Sequence, residues 1–207
     1  VDQADGRLPL SDAPESRPSP AAKPLSQSLP LQGEPFDDRA ARPFFAGLLP
    51  EGDKRRQIAN ILHVSDQNVF GLLKGIGGDC AGAVTLLTPG EQPIVPPHAD
   101  SIRWLDDEEL VRLIDEMPKR PMLAGEDGYR LSLAGAQDKL PVVAQDGRIG
   151  LPMFGMPSTH ILKPAIPGVV ASVQNEAFCL TLAGTLSLDA AKVEIRHVID
   201  RRYLLVS

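Results

Sequence analysis

The feature that most constrains the fold of this sequence is a run of small residues between two strand-like segments. Residues 131–143 read Leu-Ser-Leu-Ala-Gly-Ala-Gln-Asp-Lys-Leu-Pro-Val-Val, and the small residues are Ala134-Gly135-Ala136. Glycine and alanine allow backbone amides to approach a bulky polyanion closely. A Walker loop is followed by Gly-Lys-Ser/Thr and a helix, whereas residues 140–143 favour a strand. The pattern therefore predicts a phosphate-binding loop at the tip of a β-hairpin.

A lysine and a glutamate farther along the chain are placed to complete such a site. Residues 159–164 read Thr-His-Ile-Leu-Lys-Pro and predict a strand that carries Lys163. A helix is predicted from Ser172, as its N-cap, to Gly184, and Glu176 lies on its largely apolar face. Because a carboxylate on such a face needs a partner, we expect it to pair with the strand lysine, which would lie under the loop. Loop, lysine and glutamate together are typical of the nucleotide-binding small lobe of a protein kinase.

Three segments of the chain also resemble the sequence motifs of a known family. They are Ser132-Leu-Ala-Gly-Ala-Gln-Asp-Lys139, Thr159-His-Ile-Leu-Lys163-Pro and Gln174-Asn-Glu-Ala-Phe-Cys179. These segments resemble the HipA family, which consists of kinase-fold serine/threonine protein kinases that act as toxins of bacterial toxin–antitoxin pairs. The resemblance extends from about Leu25 onward, and the first segment is the most specific.

The resemblance implies a role for each residue of the predicted site. The residues expected to wrap the ATP phosphates are Ala134, Gly135, Ala136, Gln137, Asp138 and Lys139. Lys163 is expected to contact these phosphates as well, and Glu176 to position Lys163. Ser132 is expected to be autophosphorylated, which expels the loop and silences the kinase. Asp138 stands where many relatives carry glutamate, so the charge is kept, and for Lys139 the alternative is that it simply caps the hairpin face.

The activity implied by the resemblance is transfer of phosphate from ATP, with Mg²⁺, to a serine or threonine of a protein. Targets in the family include aminoacyl-tRNA synthetases, whose modification halts translation, and the family's kinases are phosphoproteins linked to persistence. The expected partners are a HipB-like antitoxin and, mainly through the antitoxin, operator DNA. The family places its catalytic and metal-binding aspartates in a large lobe, expected beyond Ser207, so we assign no catalytic or metal-binding residue here. This chain alone is expected to be inactive.

The predicted fold class is α+β, in three parts. Residues 1–90 are expected to form a HipA-type N-terminal accessory subdomain of helices and strands with an incomplete start, and residues 91–126 a linker with one short helix. Residues 127–207 are expected to form a kinase-like small lobe, an antiparallel sheet with one packed helix, cut at the hinge. The large helical lobe is expected to be absent.

Local signals locate further elements. Asp37 or Asp38 can cap a helix that ends near Pro50, and Asp106 can cap a short amphipathic helix. A glycine-rich turn from Gly75 is predicted to enter a strand rather than to bind phosphate. Strands are predicted at residues 25–31, 83–87, 190–195 and 203–206, the last two as inner strands of the sheet.

Residues 55–73 allow a rival interpretation. Their apolar spacing follows that of a helix-turn-helix DNA-binding regulator, with Ser65 capping the second helix. That helix would carry one cation, Lys74, beside Gln67 and Asn68, whereas phosphate contacts normally need several. Two short packed helices are therefore the preferred reading. A non-catalytic binding or scaffold module that retains the small lobe is the other alternative.

The composition argues against several other classes of protein function. A net charge of −6 argues against a surface that grips nucleic acid as a whole. No apolar run is long enough to span a bilayer and no signal peptide is recognisable, so we expect a cytoplasmic protein without membrane contact. Cys80 and Cys179 are too few for a disulfide framework, and the four histidines lack ligand spacing, so no metal site is predicted.

Overall fold

The computed structural model of the chain describes residues 10–12, 22–80, 84–87, 90, 101–124, 131–153 and 156–207. The α-helices in these residues are α1 (Asp38–Gly47), α2 (Gly52–Ile61), α3 (Val69–Ile76), α4 (Asp107–Glu116) and α5 (Ser172–Thr185). The strands are β1 (Asp79–Cys80), β2 (Ile102–Trp104), β3 (Leu131–Ser132), β4 (Leu140–Gln145), β5 (Arg148–Pro152), β6 (His160–Pro164), β7 (Val193–Val198) and β8 (Arg201–Val206). The fold class is α+β, as predicted.

Six of the strands form an antiparallel sheet in the order β2-β5-β4-β6-β8-β7. β4 and β5 are joined by a tight turn at Asp146 and Gly147, whose φ angles of 51° and 78° are those of the favoured two-residue hairpin turn. The central strands carry the most deeply buried side chains of the sheet. These are Leu140, Val142, Leu162 and Leu204.

In the N-terminal region, α1 packs against α3, and α3 contacts β3. Asp37 caps α1 by accepting a hydrogen bond from the Ala40 amide, which selects the first of the two predicted caps. Glycine is required by close packing at position 77, because a Cβ atom on Gly77 would lie 2.5 Å from the Leu73 backbone oxygen. Buried side chains of these helices, of α4 and of the sheet belong to one continuous hydrophobic cluster. The N-terminal helices and the sheet therefore share a core.

α5 packs on the sheet through one face. Val173 and Ala177 lie against Leu204 of β8, whereas Phe178 and Leu182 on the other side are exposed. Ser172 is the first helical residue and not the predicted cap. The cap position is Ala171, in the left-handed region, and the Ser172 hydroxyl instead accepts a hydrogen bond from the Ile166 amide.

The predicted hairpin around the small-residue loop is wrong. β3 pairs in parallel with β1 of the N-terminal region, with Ser132 opposite Cys80, whereas β4 pairs with β5 and β6. The loop therefore connects two different sheets. Local pattern predicted the strands correctly but not their partners, because pairing with β1 depends on residues far away in the chain.

Other strand predictions also need correction. Residues 25–31 form a turn that is closed by one bridge between Ser26 and Leu29. They do not form a strand, because Pro30 has no amide hydrogen to donate to a neighbouring strand. Of the strand predicted at 83–87, the described residues 84–87 form no strand, and Val84 makes a single bridge with Cys80 of β1. β7 begins at Val193 and lies at the edge of the sheet, so it is not an inner strand.

The segment predicted as a linker contributes a strand to the sheet. This strand, β2, pairs with β5. It is only three residues long, which is too short for a recognisable strand pattern in the sequence. The helix that follows it was predicted correctly: Asp106 caps α4 in a capping box with Glu109. Residues 91–100 of the predicted linker lie outside the described residues. Among the described helices, none is both long and apolar enough to cross a membrane.

Candidate functional site

An ion pair joins the middle of the sheet to α5. Lys163 Nζ on β6 donates to Glu176 Oε1 on α5 over 2.5 Å. The side chains remain 20% and 29% exposed, so the pair lies at the edge of the core with access from outside. Helix periodicity had placed Glu176 on the sheet-facing side, and the expected pairing is present.

The loop that follows β3 has a conformation that requires glycine. Gly135 has a φ of +101°, in the region that side chains rarely adopt. A Cβ atom there would also lie 2.8 Å from Lys139 Nζ, which turns back to donate a hydrogen bond to the Ala134 carbonyl. The backbone angle therefore disfavours a larger residue, which would also have to displace the end of the Lys139 side chain.

Two lysines come close enough for their charges to interact. Burial lowers the pKa of Lys139, and the charge of Lys163 lowers it further, while Glu51 and Glu176 act in the opposite direction. A lysine whose positive charge is disfavoured by a second cation gains stabilisation from an anion placed between them. The loop and β6 thus bring two ammonium groups together, and the carboxylates of Glu51 and Glu176 lie near them.

A cleft lies between the loop and the segment after β6. It has a volume of about 80 Å³ and is lined by Ala136, Gln137 and Asp138 on one side and by residues 164–167 on the other. Its lining from the loop is part of the predicted phosphate-binding stretch. This arrangement leaves the loop backbone accessible from the side of β6.

The opposite side of the loop rests on the corner between α1 and α2. Lys54 Nζ lies 2.5 Å from Asp138 Oδ1, and both side chains are largely buried, with 16% and 13% exposed. The Glu51 amide donates a hydrogen bond of 3.3 Å to the Gly135 carbonyl, and Pro50 forms a parallel bridge with Gly135. Sequence reasoning missed Lys54 and Glu51, because no local spacing links them to a loop so distant in the chain.

The remaining predicted site residues are placed as follows. Gln137 lines the cleft with Asp138, and Ala136 is exposed there. The backbone of Ser132 lies in β3, directly before the loop, and its side chain is outside the described part of the structure. Within the described residues, no group of histidine, cysteine, aspartate or glutamate side chains could hold a metal ion.

The geometry of α2 and α3 gives the helix-turn-helix reading little support. Asn68, not Ser65, caps α3 by accepting a hydrogen bond from the Gly71 amide, so its side chain is occupied. Half of α3 faces the core. Its buried residues are Val69, Leu72, Leu73 and Ile76. A recognition helix needs a free face with several polar or basic side chains, and α3 offers few of them.

Two family models match the chain over most of its length. The model described as the HipA N-terminal domain matches residues 10–87, and the HipA-like C-terminal domain model matches residues 131–207. The first covers the α1–α3 region, and the second begins at β3 and includes the loop, β6 and α5. Both halves of the candidate site thus fall within matched regions.

Individual relatives point to the same family. The chain is 48% identical over 185 residues to Y4mE of Sinorhizobium fredii, a protein designated as a candidate kinase, covering 88% of this chain and 44% of that protein. It is 31% identical over 174 residues to the serine/threonine-protein kinase toxin HipA of Shewanella oneidensis, covering 84% of this chain and 39% of that protein. The chain therefore spans less than half the length of either relative.

A solved structure shares the fold. It is the Shewanella oneidensis HipA, in a complex with HipB and operator DNA, and it superposes with a TM-score of 0.74 at 27% identity. The match covers 97% of this chain and 47% of that one. Matched domain models, named relatives and shared fold together show that this chain belongs to the HipA family.

Proposed function

We propose that this chain is the phosphate-holding part of a HipA-like serine/threonine protein kinase. The observation that carries the proposal is the ion pair between Lys163 and Glu176 beside the loop that turns at Gly135. Kinase small lobes use a strand lysine, a helix glutamate and a glycine-containing loop to hold ATP. The naming of the relatives as kinases agrees with this assignment.

The ATP phosphates would be held by charge and by backbone amides. Lys163, oriented by Glu176, supplies a cation from β6. Lys139 would supply a second cation once its ammonium group exchanges the hydrogen bond to the Ala134 carbonyl for one to a phosphate oxygen. The backbone amides of the loop from Ala134 to Lys139 would donate hydrogen bonds to the phosphates, because Gly135 lets the backbone come close to them. Such preorganised groups act by positioning the γ-phosphate and neutralising its charge.

Bound ATP would supply the transferable phosphoryl group, and Mg²⁺ would neutralise its oxygens. We propose that the metal ligands and the catalytic aspartate lie outside this chain, which spans less than half the length of its relatives. In this proposal the accessory subdomain comprises residues 1–90. The connection comprises residues 91–126, and the small lobe comprises residues 127–207. Alone, the chain would lack activity.

The toxin–antitoxin role is proposed from the family. The solved relative is in complex with HipB and operator DNA, which supports a HipB-like antitoxin as partner and contact with DNA mainly through it. The proposed substrate is a protein serine or threonine, with an aminoacyl-tRNA synthetase as the candidate target. Ser132 is the proposed autophosphorylation site. It lies in a ladder of two residues directly before the loop, and so short a ladder is easily released.

The test is replacement of Lys163 by alanine in the full-length protein. We expect Ser132 phosphorylation and toxicity to be abolished, with ATP binding weakened about tenfold or more, because a charge-assisted phosphate contact is lost. Folding should be preserved, since Glu176 is exposed enough to be hydrated. Lys192→Ala, at an exposed position outside the site, is the control.

Two outcomes would contradict the proposal. Retained phosphorylation in Lys163→Ala would remove the lysine from its assigned role. A full-length wild type that binds ATP without transferring phosphate would favour the scaffold alternative.

A further inference from the structure

We propose that Lys54, in the N-terminal helical region, is a positioning residue that holds the phosphate-binding loop in place through Asp138. The inference deepens the proposed function, but the contact itself can be tested without ATP. It assigns to the N-terminal region a direct effect on the nucleotide site.

Two attachments fix the loop to the corner between α1 and α2. At one end the Gly135 carbonyl accepts a hydrogen bond from the Glu51 amide, next to the bridge with Pro50. At the other end the Asp138 carboxylate faces Lys54. Because the attachments lie on both sides of Gln137, they restrict the loop at two points and leave its other face toward β6.

The environment makes the ion pair a strong determinant of loop position. Asp138 Oδ1 has no hydrogen-bond partner among the described residues, so the charge of Lys54 is its compensation there. The cavity enclosed between loop and corner has a volume of about 10 Å³, at the lower limit for one water molecule. Removing either charge would leave the other nearly buried and uncompensated, which strongly disfavours the docked loop.

The ion pair also explains how a loop for phosphates can contain an acidic residue. A free carboxylate beside the cleft would repel the phosphates that Lys139 and Lys163 attract. The ion pair with Lys54 offsets the negative charge of Asp138. Lys54 would thus favour phosphate binding without touching the phosphates.

The primary experiment is hydrogen exchange of the Glu51 amide, measured without nucleotide, because this amide donates to the Gly135 carbonyl and so reports whether the loop is docked. In Lys54→Met, and independently in Asp138→Asn, the Glu51 amide should exchange about tenfold faster or more, while the amides of β4 and β6 remain protected. Lys54→Arg should keep the Glu51 amide protected. The matched control is Arg56→Met on the same helix, which removes an exposed cation paired with Asp53 and should leave the loop unchanged.

The proposal is overturned if exchange of the Glu51 amide is unchanged in Lys54→Met and Asp138→Asn. It is also overturned if exchange rises equally throughout α2 and the sheet, because Lys54 would then be a structural residue only.

A second measurement connects the contact to ATP. In the full-length kinase, Lys54→Met should raise KM for ATP about tenfold while kcat changes little, since the loop must first be ordered. An unchanged KM despite a mobile loop would overturn the positioning role. A wild type that binds no ATP would instead refute the proposed kinase function, and the exchange data would still decide whether Lys54 holds the loop.

Discussion

Gly135 is the residue on which the loop conformation depends most directly. Its φ of +101° disfavours any side chain, and a Cβ atom would displace the Lys139 ammonium group. The neighbouring alanines have no such requirement in the structure. At the residue scale, therefore, glycine is needed at one position of the small-residue run.

Gly135→Ala should lower the free energy of unfolding by about 1–2 kcal/mol through backbone strain and weaken ATP binding in the full-length protein. Gly147→Ala is the matched control: Gly147 has a φ of +78° in the β4–β5 turn, with nothing within 4 Å of its Cβ position. It should cost similar stability but leave ATP binding intact. Chemical denaturation and calorimetric ATP titration would measure the two effects. Equal loss of ATP binding in both variants would mean that the effect of Gly135 is general and not local.

The contact of Lys163 with Glu176 could be predicted from the sequence, whereas the contact of Asp138 with Lys54 could not. Helix and strand periods fix which side of an element a residue occupies, and an unpartnered carboxylate on an inner face demands a nearby cation. For Asp138 the loop has no period, and its partner comes from another region of the chain. The spacing of residues within one segment cannot predict a contact that forms only when two distant segments pack together.

Helix α4 shows an element whose boundary is set by its own residues. Asp106 Oδ1 accepts a hydrogen bond of 2.7 Å from the Glu109 amide, and the Glu109 carboxylate accepts one from the Asp106 amide. Asp106→Ala should therefore lower the free energy of unfolding by about 1 kcal/mol. Asp189→Ala, in an exposed segment, should change it by less than about 0.5 kcal/mol. Equal effects of the two substitutions in urea denaturation would show that the cap is not stabilising.

Strand pairing marks the limit of prediction at the element scale. β4, β6 and α5 were expected near their observed positions, because alternation, apolar runs and helix-ending signals are local. The partner of β3 was missed, and β2 was not expected at all. Strands of two or three residues carry too little pattern to reveal a partner, and their pairing is decided by the packing of the whole chain.

At the scale of the whole molecule, one hydrophobic cluster includes residues of the N-terminal helices and of the sheet. The cluster includes Leu72 and Ile76 of α3 together with Leu140 and Leu162 of the sheet. A shared core is consistent with a loop that rests on the N-terminal helices.

A shared core predicts a single cooperative unfolding transition. The only tryptophan, Trp104, lies in β2 and reports on the sheet, whereas far-ultraviolet circular dichroism is dominated by the helices. Urea unfolding followed by the two signals should give coincident midpoints. Separate midpoints would contradict the shared core and indicate that the N-terminal helices unfold independently.

The central claim, that the loop at Gly135 and Lys163 hold the phosphates of ATP, is tested most directly by a crystal structure of the full-length protein with a non-hydrolysable ATP analogue. We predict that the phosphates lie between the amides of residues 134–139 and Lys163 Nζ, with the contact of Lys163 with Glu176 retained. An analogue bound elsewhere, with Gly135 and Lys163 free of contact, would contradict the assignment.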